Sequence, residues 1–420
     1  VQAAMPVHCH RQVLGNGLVV LVVENPVADI VSTRMFLRAG SLREAAGQAG
    51  LSHLVMTALT KGTQRYSARE IAESVESIGA SLSTNAAPDY LVLTLKTVSA
   101  DFATLLPLAA ELLRSPTFPE AEVELERRLT LQSIRAQQEQ PLAVAIDQLR
   151  QAMYQDHPYA QSLLGTAATV AQLQQADLQH YHQTYFRPDN LVISIAGRVT
   201  VEQATALVEQ VLGDWRVPNK PLPALHFPTI TPHPQQRMTT QPTQQAIVML
   251  GYLAPSVQAT SYPALKILST YLGNGLSSRL FVELREKRGL AYDVSAFYPT
   301  RFATSHFGVY LGTAAENTKV ALEGLQAEID RLCTAPLSPD ELKATKNKIL
   351  GQYALGKQTN AQIAQVLGWY EALGLGIEYD LQFQAEIAAV TAETAQQVAS
   401  QYFTVPYISL VGPSAALNSI

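Results

Sequence analysis

The chain has 420 residues, 47% hydrophobic and 15% charged, enough to bury substantial cores and too long for one small domain, so two globular units are expected. A net charge of −5 and 30 scattered lysines and arginines form no basic run able to follow a phosphate backbone. That argues against nucleic acid and anionic membrane as partners. No apolar stretch reaches the ~18 residues of a bilayer span, and Cys9 and Cys333, the two cysteines, can build neither a disulfide framework nor a Cys-rich zinc site.

The opening, Val1 to Pro6, reads as an artificially added or a processed end with no charged-then-apolar signal pattern behind it, and a cytoplasmic location is expected. His8-Cys9-His10 offers metal-friendly atoms near a terminus. Farther on, Leu91-Val92-Leu93-Thr94-Leu95 alternates like a strand and leads into an apolar helix from Phe102 to Leu113. Thr117-Phe118-Pro119-Glu120 then opens a charged amphipathic helix, with Pro near the first turn. His180-Tyr181-His182 places two rings at i and i+2, on largely opposite helix faces. Ordinary surface positions are expected for both histidine pairs. Tyr185-Phe186 precedes a strand over 191–197. After Trp215 the chain becomes proline-dense (Pro218, Pro221, Pro223, Pro232, Pro234, Pro242), which can continue neither a helix nor a central strand, so 218–243 reads as an extended linker.

Beyond it the same order returns about 216 residues later. Phe307-Gly308-Val309-Tyr310-Leu311 leads into an apolar helix from Val320 to Leu332, Leu337-Ser338-Pro339-Asp340-Glu341 opens a charged helix, and Tyr402-Phe403 precedes a strand over 408–412. A tandem duplication of one α+β unit is the economical explanation. Domains over 1–217 and 244–420 follow, each a mostly antiparallel sheet packed with helices. Neither a Gly-rich phosphate loop nor a G-x-S-x-G elbow is present.

Two segments carry a resemblance. Arg38-Ala39-Gly40-Ser41 through Gly50-Leu51-Ser52-His53-Leu54-Val55-Met56-Thr57-Ala58-Leu59-Thr60-Lys61-Gly62-Thr63 resembles the metal-binding segment of the pitrilysin (insulinase-type) metallopeptidases. In that family a helix carries H-x-x-E-H, two zinc ligands one turn apart with the general base beside them. The matching positions are His53, Met56 and Thr57. The family's third ligand, a Glu on a later helix, corresponds to Ser133; Glu126 lies on the same face two turns earlier, ~10 Å along the axis, too far to take that place. A catalytic zinc takes about three protein ligands, so the expectation is no metal in this chain and no hydrolysis by it alone.

The second segment, Tyr271 to Tyr292, looks like the family's C-terminal signature, including its R-x6-Y pair at Arg285 and Tyr292. The resemblance implies that this pair binds substrate beside the bond being cut, where preorganised donors stabilise an oxyanion. Taken alone, Arg285-Glu286-Lys287-Arg288 is also a solvated helix end and Tyr292 a core strand residue. Gly273-Asn274-Gly275 supplies positive φ for a junction and, by resemblance, a weaker substrate contact. The whole chain is similar to the zinc-lacking member of the processing-peptidase branch. It is therefore expected to pair as a heterodimer with a homologous H-x-x-E-H subunit, which holds the zinc and acts on peptides, with Arg285 and Tyr292 contributed in trans. A non-catalytic scaffold or peptide-binding subunit of a larger complex is the alternative.

Overall fold

The computed structural model describes residues 8–418; Val1 to Pro6 lie outside them. The first half contains strands β1 (His10–Val13), β2 (Val19–Glu24), β3 (Ile30–Leu37), β4 (Ser81–Ala86), β5 (Leu91–Val98) and β6 (Leu191–Gly197). Its helices are α1 (Leu51–Ala58), α2 (Ala68–Glu76), α3 (Phe102–Arg114), α4 (Glu120–Gln138), α5 (Pro141–Tyr154), α6 (Ala167–Gln172), α7 (Gln175–Tyr185) and α8 (Val201–Leu212). The second half contains β7 (Gln236–Thr240), β8 (Gln245–Ala254), β9 (Asp293–Phe297), β10 (Ser305–Ala314) and β11 (Tyr407–Gly412). Helices α9 (Tyr262–Gly273), α10 (Thr318–Thr334), α11 (Pro339–Leu355), α12 (Asn360–Ala372), α13 (Tyr379–Ala389), α14 (Ala392–Tyr402) and α15 (Ser414–Leu417) complete it.

The strands form two sheets, β1-β2-β6-β3-β5-β4 and β7-β11-β8-β10-β9. Each has one parallel pair, β2 with β6 and β7 with β11, and otherwise antiparallel neighbours. Apart from β1, the second sheet repeats the first strand for strand, as the duplication requires. One boundary differs from the sequence reading. The expected linker over 218–243 contains β7, because its prolines only flank 236–240 and an edge strand needs ladder bonds on one side. The remainder is also tied down: Arg187 donates to the Lys220 carbonyl at 2.7 Å and Tyr407 accepts from the His233 amide at 2.8 Å.

Helix starts follow local chemistry. Ser67 with Glu70, Thr200 with Gln203, Ser338 with Glu341 and Thr359 with Gln362 each form a reciprocal capping box that satisfies otherwise orphaned N–H groups. Strand β6 is buried along its whole length because both faces are covered. Leu191, Ile193 and Ile195 face the core built with the first half's helices. Val192 and Ala196 face Ile363, Ala364 and Leu367 of α12, which comes from the second half. The reverse exchange occurs on the other sheet, where Ala145 and Leu149 of α5 pack on Ile247, Met249 and Val411. Glycine permits both approaches: a Cβ on Gly368 would lie 2.6 Å from the Phe36 ring, and one on Gly251 would lie 2.8 Å from Leu149 Cδ2. The two halves are thus interlocked by reciprocal helices.

Candidate active site

Helix α1 starts at Gly50, whose φ of 97° is left-handed and whose Cβ, if present, would meet the Leu164 carbonyl at 2.6 Å. Glu44 caps the helix from outside, accepting from the Gly50 amide at 3.0 Å, the Ser52 amide at 2.7 Å and the Ser52 hydroxyl at 2.5 Å. Burial pushes this carboxyl up to about 7, against the pull of those donors.

His53 is half-buried, and burial holds its pKa below the ordinary value while Glu126 acts in the opposite sense. Glu126 is buried on α4 with Lys61 Nζ 3.0 Å from its carboxylate. Spacing along α4 relates Glu126 to Ser133 only, and it is α1–α4 packing that sets Glu126 against His53. Met56 is 1% exposed within the core. The Thr57 hydroxyl donates to the Leu54 carbonyl at 3.2 Å and the Ser133 hydroxyl to the Leu129 carbonyl at 3.0 Å, each within its own helix. Among the described residues no cluster of three His, Cys, Asp or Glu side chains could hold a metal ion. The residues present do not fit the zinc ion that the H-x-x-E-H family uses: His53 and Glu126 are two donors, and Glu126 is already bound to Lys61.

Beside α1, β4 ends its sheet, and Thr84 Oγ1 donates to the Met56 carbonyl at 2.7 Å. The outer edge of β4 therefore presents backbone groups next to α1.

In the second half, Arg285 is exposed on a π-helical turn, Phe281–Glu286, the kind of local irregularity that often marks functional positions. Its guanidinium lies 4.8 Å from the Phe281 ring centroid. Glu283 is engaged by Arg279 and Lys287, both at 2.8 Å, and Arg285 has no acid partner among the described residues. Tyr292 is 60% exposed, so the core-strand alternative is excluded for it; its amide donates to the Gly312 carbonyl at 2.9 Å. Neither residue bonds to α1 or α4 among the described residues.

The Gly273-Asn274-Gly275 turn is chiefly a packing device. A Cβ on Gly273 would sit 1.8 Å from the Ala296 amide nitrogen. Gly275 has φ of 84°, but Asn274 is extended at −99° and hydrogen-bonds Gln352 at 2.9 Å, so the positive φ expected at Asn274 is absent. His182 also departs from its expected surface position. It is buried, with Nε2 2.8 Å from the Leu113 carbonyl, because α7 packs that face inward. His180 is exposed, and so are His8 and His10.

Comparison with known proteins matches residues 19–167 to the insulinase (peptidase family M16) model and residues 172–349 to the peptidase M16 inactive domain. The chain belongs to the insulinase family of peptidases, M16. It is 28% identical to the uncharacterized zinc protease YmxG of Bacillus subtilis over 97% of this chain and 99% of that one. It is 27% identical to the uncharacterized zinc protease Rv2782c of Mycobacterium tuberculosis over 98% of this chain and 94% of that one. A crystal structure of a peptidase M16 inactive domain from Pseudomonas fluorescens superposes with a TM-score of 0.90 at 26% identity, covering 97% and 98% of the two chains. A protease from Helicobacter pylori has the same fold, with a TM-score of 0.90 at 21% identity over 97% of this chain. No helix among the described residues of this insulinase-family chain is long and apolar enough to cross a membrane.

Proposed function

We propose that this chain is a non-hydrolytic M16 subunit that supplies Arg285 and Tyr292 to the active site of an H-x-x-E-H partner cleaving peptides. The observation that carries this reading is an asymmetry between the halves. At the zinc positions stand a buried Met56 and the self-bonded hydroxyls of Thr57 and Ser133. Arg285 and Tyr292 are exposed, and among the described residues neither the guanidinium nor the phenol has a hydrogen bond or ion pair. The free edge of β4 gives a peptide a place to add as a strand, with main-chain bonds holding it. A purely scaffolding subunit has no use for an exposed guanidinium and phenol left without a hydrogen-bond or acid partner.

The experiment mixes the chain with a zinc-bearing M16 partner from the same source and follows hydrolysis of unfolded peptides. Arg285→Ala and Tyr292→Phe are expected to leave complex formation intact and lower kcat by ~10²–10³, the usual loss for one preorganised donor. Full activity of both variants would move the scaffold reading to the front.

A further inference from the structure

The face of the first sheet that α12 covers is apolar over β2, β6 and β3, and turns polar where it continues onto β5. Phe36 and Val92 belong to the α12 side. Residues two apart on a strand share a face, so Arg34, Tyr90, Thr94 and Lys96 lie on it too. The register sets Arg34 opposite Thr94 and Thr94 opposite Ser83, and in the next row Ser32 opposite Lys96 and Lys96 opposite Ser81. Arg34 and Lys96 are therefore diagonal neighbours, their Cα atoms ~7–8 Å apart. Tyr90 stands edge-on to Phe36 with centroids 5.4 Å apart. Exposure rises outward, from half-buried Arg34, Tyr90 and Thr94 to exposed Lys96, Ser81 and Ser83.

Among the described residues no carboxylate answers these cations. Arg34 Nη1 donates to Thr94 Oγ1, and Nε is buried without a partner. Elsewhere the guanidiniums of Arg38, Arg127, Arg150, Arg187, Arg279 and Arg301 each meet a carboxylate. Among the described residues Lys96 has no ion pair, and the Tyr90 hydroxyl has no hydrogen bond. Asp89, the acid next in sequence, is taken by the Tyr159 hydroxyl and lies 3.9 Å from Arg301. Burial lowers the Arg34 pKa, as expected of a guanidinium partly stripped of water. A planar fork in that state favours a carboxylate, which accepts two of its donors at once.

We propose that Arg34, Tyr90 and Lys96 form a carboxylate-binding patch on the open part of the first sheet, which receives an acidic side chain or the C-terminal carboxylate of a peptide. The peptide as occupant rests on the function proposed above; the preference for a carboxylate rests on the patch itself. Tyr90 and Lys96 supply an O–H and an N–H on either side of the guanidinium.

The test measures binding of fluorescein-labelled decapeptides to the purified full-length chain by anisotropy at low salt. The probes are an Ala/Ser decapeptide with two glutamates and its Glu→Gln counterpart, each with a free or an amidated C-terminus. The glutamate peptide, or the peptide with a free C-terminus, is expected to bind at least fivefold tighter than its neutral counterpart. Whichever substitution removes the gain identifies the source of the carboxylate. Lys96→Gln, at an exposed position, and Arg34→Gln are each expected to shrink the gap to under twofold, with thermal unfolding confirming that both variants fold. Equal binding of charged and neutral peptides, an unchanged gap in Lys96→Gln, or binding of no peptide at all overturns the proposal. Displacement by inorganic phosphate but not by acetate at matched ionic strength also overturns it, since it marks a phosphate site. None of these outcomes bears on Arg285 and Tyr292, whose role is judged by hydrolysis in the mixed complex.

Discussion

Met56 and Ser133 stand in unlike surroundings, and that difference shapes any attempt to rebuild a zinc site. Met56 is fully buried among Leu54, Val55 and Leu59, whereas Ser133 is exposed on α4. In the triple variant Met56→Glu, Thr57→His and Ser133→Glu, the new Glu at 56 is a buried carboxylate lacking a partner, which is costly unless a cation answers it. The metal-free variant is expected to unfold several degrees below the parent. Stoichiometric zinc is expected to bind and restore the melting temperature by mass action. Metal analysis and a thermal scan with and without zinc check both statements, and a variant that takes up no zinc would show that the backbone has lost its ligand geometry. All three positions were legible in the sequence. The Glu126–Lys61 pair was not, because those side chains meet only through the packing of α1 against α4.

Helices α5 and α12 are the elements whose role the residue pattern least announced. Their position in the repeat is equivalent, but neither packs on its own half's sheet. What admits them is the absence of a side chain. Gly368→Ala would place a methyl within 2.9 Å of both Phe36 and Ser194, and overpacking of this kind typically costs about 1–3 kcal/mol. Gly351 in α11 offers the opposite case, since nothing lies within 4 Å of the point where its Cβ would stand. Gly351→Ala is expected to stabilise by about 0.5–1 kcal/mol through helix propensity alone. Urea unfolding of the two variants should give shifts of opposite sign. Equal shifts would remove the claim that the α12 crossing depends on glycine.

At the scale of the molecule, the exchange predicts that the two halves remain together after the chain is cut. Residues 217–235 have no regular secondary structure and are largely exposed, so limited proteolysis should nick there first. The fragments are nonetheless expected to co-elute on size exclusion. Separated, each would expose a sheet face now covered by the other's helix, including Val19, Leu21 and Val23 in the first half. Acid is expected to weaken the whole. Burial holds His157 and His182 at about 4 and His306 at about 3, below the ordinary 6.5. Between pH ~6.5 and ~4 the unfolded chain therefore binds protons that the folded chain refuses, and stability falls as pH falls. Glu44, raised to about 7, works the other way, against those three histidines and His53. His306 lies between the halves, its Nδ1 2.9 Å from the Tyr154 hydroxyl of α5. Urea midpoints should drop steadily from pH 7 to 5, and His306→Gln should flatten that slope.

The sequence by itself determined the duplication, the strands that repeat, the helix starts near Pro119 and Ser338, and that Met, Thr and Ser stand at 56, 57 and 133, because each of these is written in local pattern or residue identity. Periodicity and capping act over a few residues, and the identity of a side chain is the same wherever the chain folds. Only the tertiary structure decided that α5 and α12 change places, that the proline-rich segment ends in β7, that His182 is buried and that Glu126 faces His53. It also decided that Arg34 faces no carboxylate among the described residues. These depend on which surfaces meet across hundreds of residues of sequence, and burial and charge pairing belong to the packed pair of surfaces rather than to either segment.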